Sequence, residues 1–265
     1  MEPSAPFFRE AGAGPGVVCL HSNASSSSQW RELMETLAPR HHVLAADGWG
    51  AGKSPRWPHE RAITLDDEVA LLEPVFERAG TPFALVGHSY GAAVALVAAV
   101  AQPARVRALA LYEPTMFALL DAESAPPNDA DGIRNAVAAA IAALEGGDRD
   151  RAAEHFIDYW MGPSSWARMP EARRPAIAAS VVHVRQWAAA LFGERRPLAA
   201  FATLDIPVLY LTGRDSTPTA HGVARLLTAT LPNVEVVELD GVGHMGPITH
   251  PQRINAEIVR FLARL

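Results

Sequence analysis

Cysteine is nearly missing from this sequence: Cys19 is the single one in 265 residues. That excludes a disulfide framework and a thiolate metal cluster. Cys19 lies in an apolar run and reads as a small core residue. Long hydrophobic stretches are missing too, because Gln102-Pro103 ends the apolar run Ala92 to Ala101 well short of a bilayer span. The run is a buried helix, and no membrane partner is expected. There is no excess of basic charge: 23 Lys and Arg stand against 29 Asp and Glu, a net charge of -6, which argues against a nucleic-acid partner. The opening MEPSAPFFRE has neither the basic start nor the apolar core of a secretory signal, so the expected location is cytoplasmic.

What is present describes an ordinary globular chain, with 49% hydrophobic and 20% charged residues, long enough for one large domain or a core with an insertion. Short runs rich in valine and leucine recur at Val17 to Leu20, Val43 to Ala46, Phe83 to Val86, Val106 to Leu111, Val208 to Leu211 and Val234 to Leu239. Strands apolar on both faces belong to a parallel sheet covered by helices. Helical patterns fill the gaps at Gln29 to Leu37, Leu65 to Arg78, Gly91 to Ala101, His221 to Thr230 and Gln252 to Leu265. The alternation breaks once. Between the strands ending at Leu111 and starting at Val208 the pattern is helical only, which divides the chain into a core, 1–114 and 198–265, and a helical insertion, 115–197. Ser25 to Ser28 is expected to supply an N-cap for the helix near Gln29.

Residues 47 to 54, DGWGAGKS, end like a phosphate-binding loop. That motif needs G-x-x-x-x-G-K-[ST], however, and the first glycine's place is held by Asp47. A stronger signal follows the strand Phe83 to Val86. GHSYG, Gly87 to Gly91, stands between a strand and a helix, where a sharp turn lifts a serine hydroxyl out at the carboxyl edge of a sheet. Ser89 is the candidate nucleophile, and the Tyr90 N–H, at the start of the next helix, faces where an oxyanion would form. Serine needs a base to take its proton. Of the ten histidines, His244 in GVGHMG follows a strand and can reach over Ser89. His88 adjoins Ser89, but the turn directs its side chain elsewhere. The base in turn needs a carboxylate to fix its tautomer. Asp215, in LTGRDS past the strand Val208 to Leu211, is favoured; Glu113, in LYEP past Val106 to Leu111, opens on the same edge and is the alternative acid.

With these motifs the chain resembles the α/β-hydrolase fold superfamily, a serine-nucleophile member with a helical cap, over nearly its whole length. The resemblance implies a mostly parallel sheet flanked by helices and an inserted helical lid. In that family the triad runs nucleophile, acid, histidine, the order of Ser89, Asp215 and His244. It also carries a D-x-x-G-x-G-x-S turn, which Asp47, Gly50, Gly52 and Ser54 match, making Lys53 a solvated residue and not a phosphate ligand. The family's second oxyanion donor lies in an H-G-x loop; here the loop reads His21-Ser22-Asn23, which assigns the Asn23 N–H, with the Ser22 N–H as fallback.

The function expected is a serine hydrolase cleaving a carboxylic ester or related acyl bond through an acyl-enzyme, with a small-molecule substrate, water, and neither metal nor organic cofactor. Relatives with aspartate at the nucleophile position open epoxides or displace halide; Ser89 counts against both. Carbon–carbon hydrolase, lactonase, thioesterase and perhydrolase chemistry share the same triad. A slow-turnover ligand-binding receptor is the reading from another class. Ser180, His183 and Trp187, at helical spacing, together with Ser22 and Met245, are the pocket candidates. The sequence is compatible with a homodimer.

Overall fold

The computed structural model describes residues 5–265. Seven strands form one sheet: β1 Phe8–Ala11, β2 Gly16–Leu20, β3 His42–Ala46, β4 Phe83–His88, β5 Val106–Tyr112, β6 Val208–Gly213 and β7 Val234–Leu239. They lie in the order β1-β3-β2-β4-β5-β6-β7, and only β1 runs antiparallel to its neighbour. β2, β4 and β6 are buried from end to end and β5 at every position but Arg107, as continuous apolar runs require. β1 carries no such run. Its sequence, FREA, holds two charges and only intermediate or exposed residues, and it is a strand because its backbone pairs with the free edge of β3.

Among the described residues, twelve α-helices accompany the sheet. α1 (Arg31–Leu37) follows a short 3-10 turn, Ser27–Trp30, whose N-cap is Ser26. α2 (Leu65–Ala79) begins at a capping box: the Thr64 hydroxyl accepts from the Asp67 N–H and the Asp67 carboxylate accepts from the Thr64 N–H. α3 (Tyr90–Ala101) is apolar on every side and buried from Tyr90 to Ala99, so it survives only inside the molecule, against α2 and strands β2, β4 and β5. Then come α4 (Phe117–Glu123), α5 (Asp131–Glu145), α6 (Arg149–Met161), α7 (Ser165–Arg168), α8 (Arg174–Val181) and α9 (Val184–Phe192), all between β5 and β6. After β6 follow α10 (Pro218–Thr230), α11 (Gly246–Thr249) and α12 (Pro251–Leu262). Among the described residues no helix is long and apolar enough to cross a membrane.

Two apolar layers sandwich the sheet. One joins α2 and α3 to the helices of the insertion, with Phe76, Phe83 and Phe201 fully buried; the other packs α1 and α12 beneath the opposite face through Trp30, Leu33 and Ile258. Each such side chain removed from water contributes about 1.5–3 kcal/mol before entropy is counted. For the site, the register is what matters. His88 pairs with Tyr112 across β4 and β5, and Tyr112 with Leu211 across β5 and β6, so these strands deliver their last residues to one edge of the sheet.

Candidate active site

Ser89 sits between β4 and α3 with φ +55° and ψ −115°, a conformation an L-residue adopts only under constraint. The constraint is crowding. A side chain at Gly91 would stand 2.4 Å from the Leu20 carbonyl oxygen, and one at Gly87 2.5 Å from the Ala92 Cα, so the turn closes only with glycine on both sides. This strained turn holds the Ser89 hydroxyl at the mouth of the sheet, next to the first turn of α3.

The Ser89 Oγ lies 2.9 Å from His244 Nε2, and His244 Nδ1 lies 2.7 Å from a carboxylate. That carboxylate is Glu113, not Asp215. The sequence-based preference for Asp215 is therefore corrected by the geometry. Beyond β6 the backbone turns so that the Asp215 N–H donates to the Val242 carbonyl, and the Asp215 side chain is exposed. Arg214, beside it, pairs outward with Glu238 and Asp240. Glu113 follows β5 directly with φ +43°, and its side chain reaches across the end of β6. It accepts from the Gly213 N–H (2.7 Å), the Thr212 hydroxyl (3.0 Å) and the Ser216 hydroxyl (2.7 Å) as well as from His244. Burial pushes its carboxyl up, but the hydrogen bonds from His244, Ser216 and Gly213 overcome this, and Glu113 is held below the ordinary carboxylate range.

His244 is buried on both faces. The Trp160 ring of α6 stacks on its imidazole, with centroids 3.9 Å apart and planes 24° apart, and the His88 ring lies 5.5 Å away. No spacing rule announces the Trp160 contact, because it depends on how α6 crosses the sheet edge.

On the other side of Ser89 stands the loop His21-Ser22-Asn23. The Ser22 N–H donates to Gln29 Oε1 at 3.2 Å, so the fallback donor is already engaged. The N–H groups of Asn23 and Tyr90 have no acceptor among the described residues. Tyr90 is fixed from its far end, where its hydroxyl donates to Glu68 Oε1 at 3.1 Å.

A cavity of about 300 Å³ opens over Ser89 and His244. Ser22 and Met245 line it, with Phe156, Trp160 and Ile177 from the insertion and a single charged residue, Arg173. A narrower cleft behind Ser89 is lined by Phe117, Val137 and Trp187. His183 and Ser180 face neither. They border an outer groove, because the helical register expected from Ser180 through Trp187 breaks at Val182 and His183, between α8 and α9. Among the described residues no cluster of three or more His, Cys, Asp or Glu is placed to hold a metal. Asp47 instead ties down its own turn: Oδ1 accepts from the Ser27 N–H, Oδ2 from the Lys53 N–H, and Ser54 Oγ donates to the Asp47 carbonyl. Lys53 is exposed, its ammonium over the ring of Phe7.

This strand-turn-helix carrying serine, with a histidine and a carboxylate converging from later strands, is matched by a known family model, alpha/beta hydrolase fold, over residues 15–251. The chain belongs to the α/β-hydrolase fold family. Among solved structures, an alpha/beta hydrolase from Sphaerobacter thermophilus is 28% identical with a TM-score of 0.77, covering 98% of both chains. Curated relatives match more locally. A haloalkane dehalogenase of Bradyrhizobium diazoefficiens is 35% identical over 113 residues, 42% of this chain and 36% of that protein. A 2-hydroxymuconate semialdehyde hydrolase of Pseudomonas sp. is 34% identical over 110 residues, 40% of this chain and 35% of that protein. The matched stretch thus spans little more than a third of either curated relative.

Proposed function

We propose that this α/β-hydrolase is a serine hydrolase that cleaves a carboxylic ester or related acyl bond through an acyl-enzyme on Ser89. The observation that carries the proposal is the unbroken hydrogen-bonded chain Ser89 Oγ, His244 Nε2, His244 Nδ1, Glu113 Oε2, with spacings of 2.9 and 2.7 Å. With Nδ1–H donated to Glu113, Nε2 is left bare toward the serine hydroxyl, the tautomer a general base requires.

In the first step Ser89 Oγ attacks the carbonyl carbon, and its proton passes to His244 Nε2. The carbonyl oxygen becomes an anion and takes the N–H groups of Asn23 and Tyr90, both free of other acceptors, while Glu113 stabilises the imidazolium. The carbon–oxygen bond to the leaving alkoxide then breaks, and Nε2–H returns the proton to it. Water enters, His244 removes its proton, the hydroxide attacks the acyl-enzyme, and the acid departs with Ser89 reprotonated.

The apolar walls of the cavity, built from Phe156, Trp160, Ile177 and Met245, suit an apolar acyl or alcohol group. The helices of residues 115–197 then act as a cap that shapes the pocket, and the substrate is a small molecule. Halide displacement, the activity named for the Bradyrhizobium haloalkane dehalogenase, is disfavoured. Its covalent intermediate needs a carboxylate nucleophile, and the residue at the elbow is Ser89. Carbon–carbon hydrolysis uses the same Ser-His-acid chain and is the second reading, favoured by the likeness to the Pseudomonas hydrolase.

The test is hydrolysis of p-nitrophenyl butyrate and p-nitrophenyl decanoate by the wild type and by Ser89→Ala. Activity that Ser89→Ala abolishes supports the reading. A wild type that is folded, reacts with a fluorophosphonate at Ser89, and cleaves neither ester rejects simple ester hydrolysis and promotes the carbon–carbon reading.

A further inference from the structure

One fully buried histidine has no part in the steps above. His88, 0% exposed, lies beside the nucleophile on the last position of β4. Its Nε2 is 2.9 Å from the His244 carbonyl oxygen and its Nδ1 is 3.1 Å from Gln29 Nε2. Gln29 Oε1, in turn, is 3.2 Å from the Ser22 backbone nitrogen and 3.1 Å from the Ser22 hydroxyl.

The proton positions along this chain are fixed by its two ends. A backbone N–H only donates, so the Gln29 atom facing Ser22 is its oxygen, and the Gln29 amide NH₂ must point at His88. His88 Nδ1 therefore accepts, and Nε2 carries the only ring proton, donated to the His244 carbonyl, which only accepts. Every member has a partner in this one arrangement. A charged His88 would set a second ring N–H against the Gln29 amide. Burial, with His244 nearby, pushes the His88 pKa well below the ordinary histidine value, and the ring stays neutral.

The chain spans the site. One end is the loop that holds Asn23; the other is the peptide of His244 itself. The loop needs holding, since Ala24 has φ +54°, a strained value for a residue with a side chain. Ser22 occupies a position where related loops carry glycine, and its hydroxyl is accounted for here as a second donor to Gln29.

We infer that Gln29 and His88 are positioning residues that couple the loop bearing the Asn23 N–H to the peptide of His244, so that oxyanion donor and base keep one fixed separation. The inference rests on the serine-hydrolase reading for its consequence. A fluorophosphonate, whose attack by Ser89 also develops charge on an oxygen, separates the two. The rate of Ser89 modification is read by intact mass for the wild type, Gln29→Met, His88→Leu and His88→Gln. Gln29→Met keeps shape and removes all three hydrogen bonds. His88→Gln retains one acceptor and one donor at similar spacing.

A displacement of about 1 Å in a reacting group costs on the order of 100-fold. Gln29→Met is expected to remain folded, with a lowered melting temperature, and to be modified about tenfold or more slower, and in ester hydrolysis the loss appears in kcat and not in KM. His88→Leu follows it, and His88→Gln recovers most of the rate. Modification of Gln29→Met at the wild-type rate overturns the inference, as does a loss confined to KM. Should Gln29→Met not fold, the His88→Leu and His88→Gln pair decides, and equal rates in that pair overturn it. A wild type that is never modified at Ser89 overturns the serine-hydrolase reading instead.

Discussion

Two buried glutamates stand on opposite sides of Ser89, and their surroundings drive them in opposite directions. Glu113, at the end of β5, is 0% exposed and receives hydrogen bonds from four donors; its carboxyl lies below the ordinary range. Glu68, on α2, is 3% exposed and receives two, from the Trp49 N–H and the Tyr90 hydroxyl, both at 3.1 Å. Burial raises Glu68 to about 7, and those two bonds offset it only in part. Burial is nearly equal in the two places. The number of donors supplied by the fold decides whether a buried carboxylate stays charged. Glu113 is thereby suited to stabilise an imidazolium, whereas Glu68, half protonated near pH 7, anchors the Tyr90 hydroxyl.

The contrast breaks most severely if Glu113 loses its charge. Glu113→Gln is expected to lower kcat by about 10³–10⁴-fold, as loss of the orienting carboxylate does in a serine triad. Asp215→Asn should leave kcat within about twofold, since its side chain faces solvent. Steady-state ester hydrolysis by the two variants checks both statements.

The next effect concerns stability and pH. For Glu68 the folded value lies above the unfolded one, so the folded state holds the extra proton, and stability is gained as pH falls from about 7 toward 4.5. Removing this titration with Glu68→Gln should stabilise the protein by roughly 3 kcal/mol at pH 8 relative to its effect at pH 4.5, the worth of a shift of that size. For Glu113 the sign is reversed. Its folded value is depressed, so its contribution is present above the ordinary carboxylate range and lost as pH falls through the folded value. His88, neutral when buried, also costs stability as pH drops below the ordinary histidine range, because the unfolded chain takes up the proton first. Urea denaturation of wild type and Glu68→Gln from pH 8 to 4.5 isolates the Glu68 term. Parallel curves would contradict the assignment.

The smallest expected effect lies outside the contrast, in the turn of Asp47. Lys53→Ala should leave both activity and stability within about 0.5 kcal/mol, as for an ordinary surface substitution, and should leave equilibrium dialysis with ATP unchanged. Asp47→Ala, which orphans the Ser27 and Lys53 N–H groups, should cost about 1–3 kcal/mol in urea denaturation.

Much of this was legible in the sequence because it is local. The apolar runs that became β2 to β6 report burial on two faces, whereas β7, with VEVVEL, is largely open to solvent, and GHSYG between a strand and a helix names a turn whose crowding only glycine tolerates. The strand β1 escaped because its pairing depends on the edge of β3 and not on its own residues. The choice between Asp215 and Glu113 escaped for a related reason. Both follow strands that end on the same edge, and both stand between Ser89 and His244, so chain order does not separate them. What separates them is three-dimensional: the Asp215 N–H is spent on Val242, which sends that side chain outward, while Gly213, Thr212 and Ser216 offer donors that only a carboxylate reaching from β5 can collect. The break between α8 and α9 likewise separated Ser180 from Trp187, which helical spacing alone had joined, whereas His183, the N-cap of α9, keeps its place one turn before Trp187.

The proposed triad depends on which carboxylate receives the His244 Nδ1 proton. The far-downfield proton resonance of that Nδ1–H, recorded for the wild type, Glu113→Gln and Asp215→Asn, tests it most directly. The resonance should persist in Asp215→Asn and vanish or move strongly upfield in Glu113→Gln. Its loss in Asp215→Asn and survival in Glu113→Gln would contradict the arrangement from which the mechanism was derived.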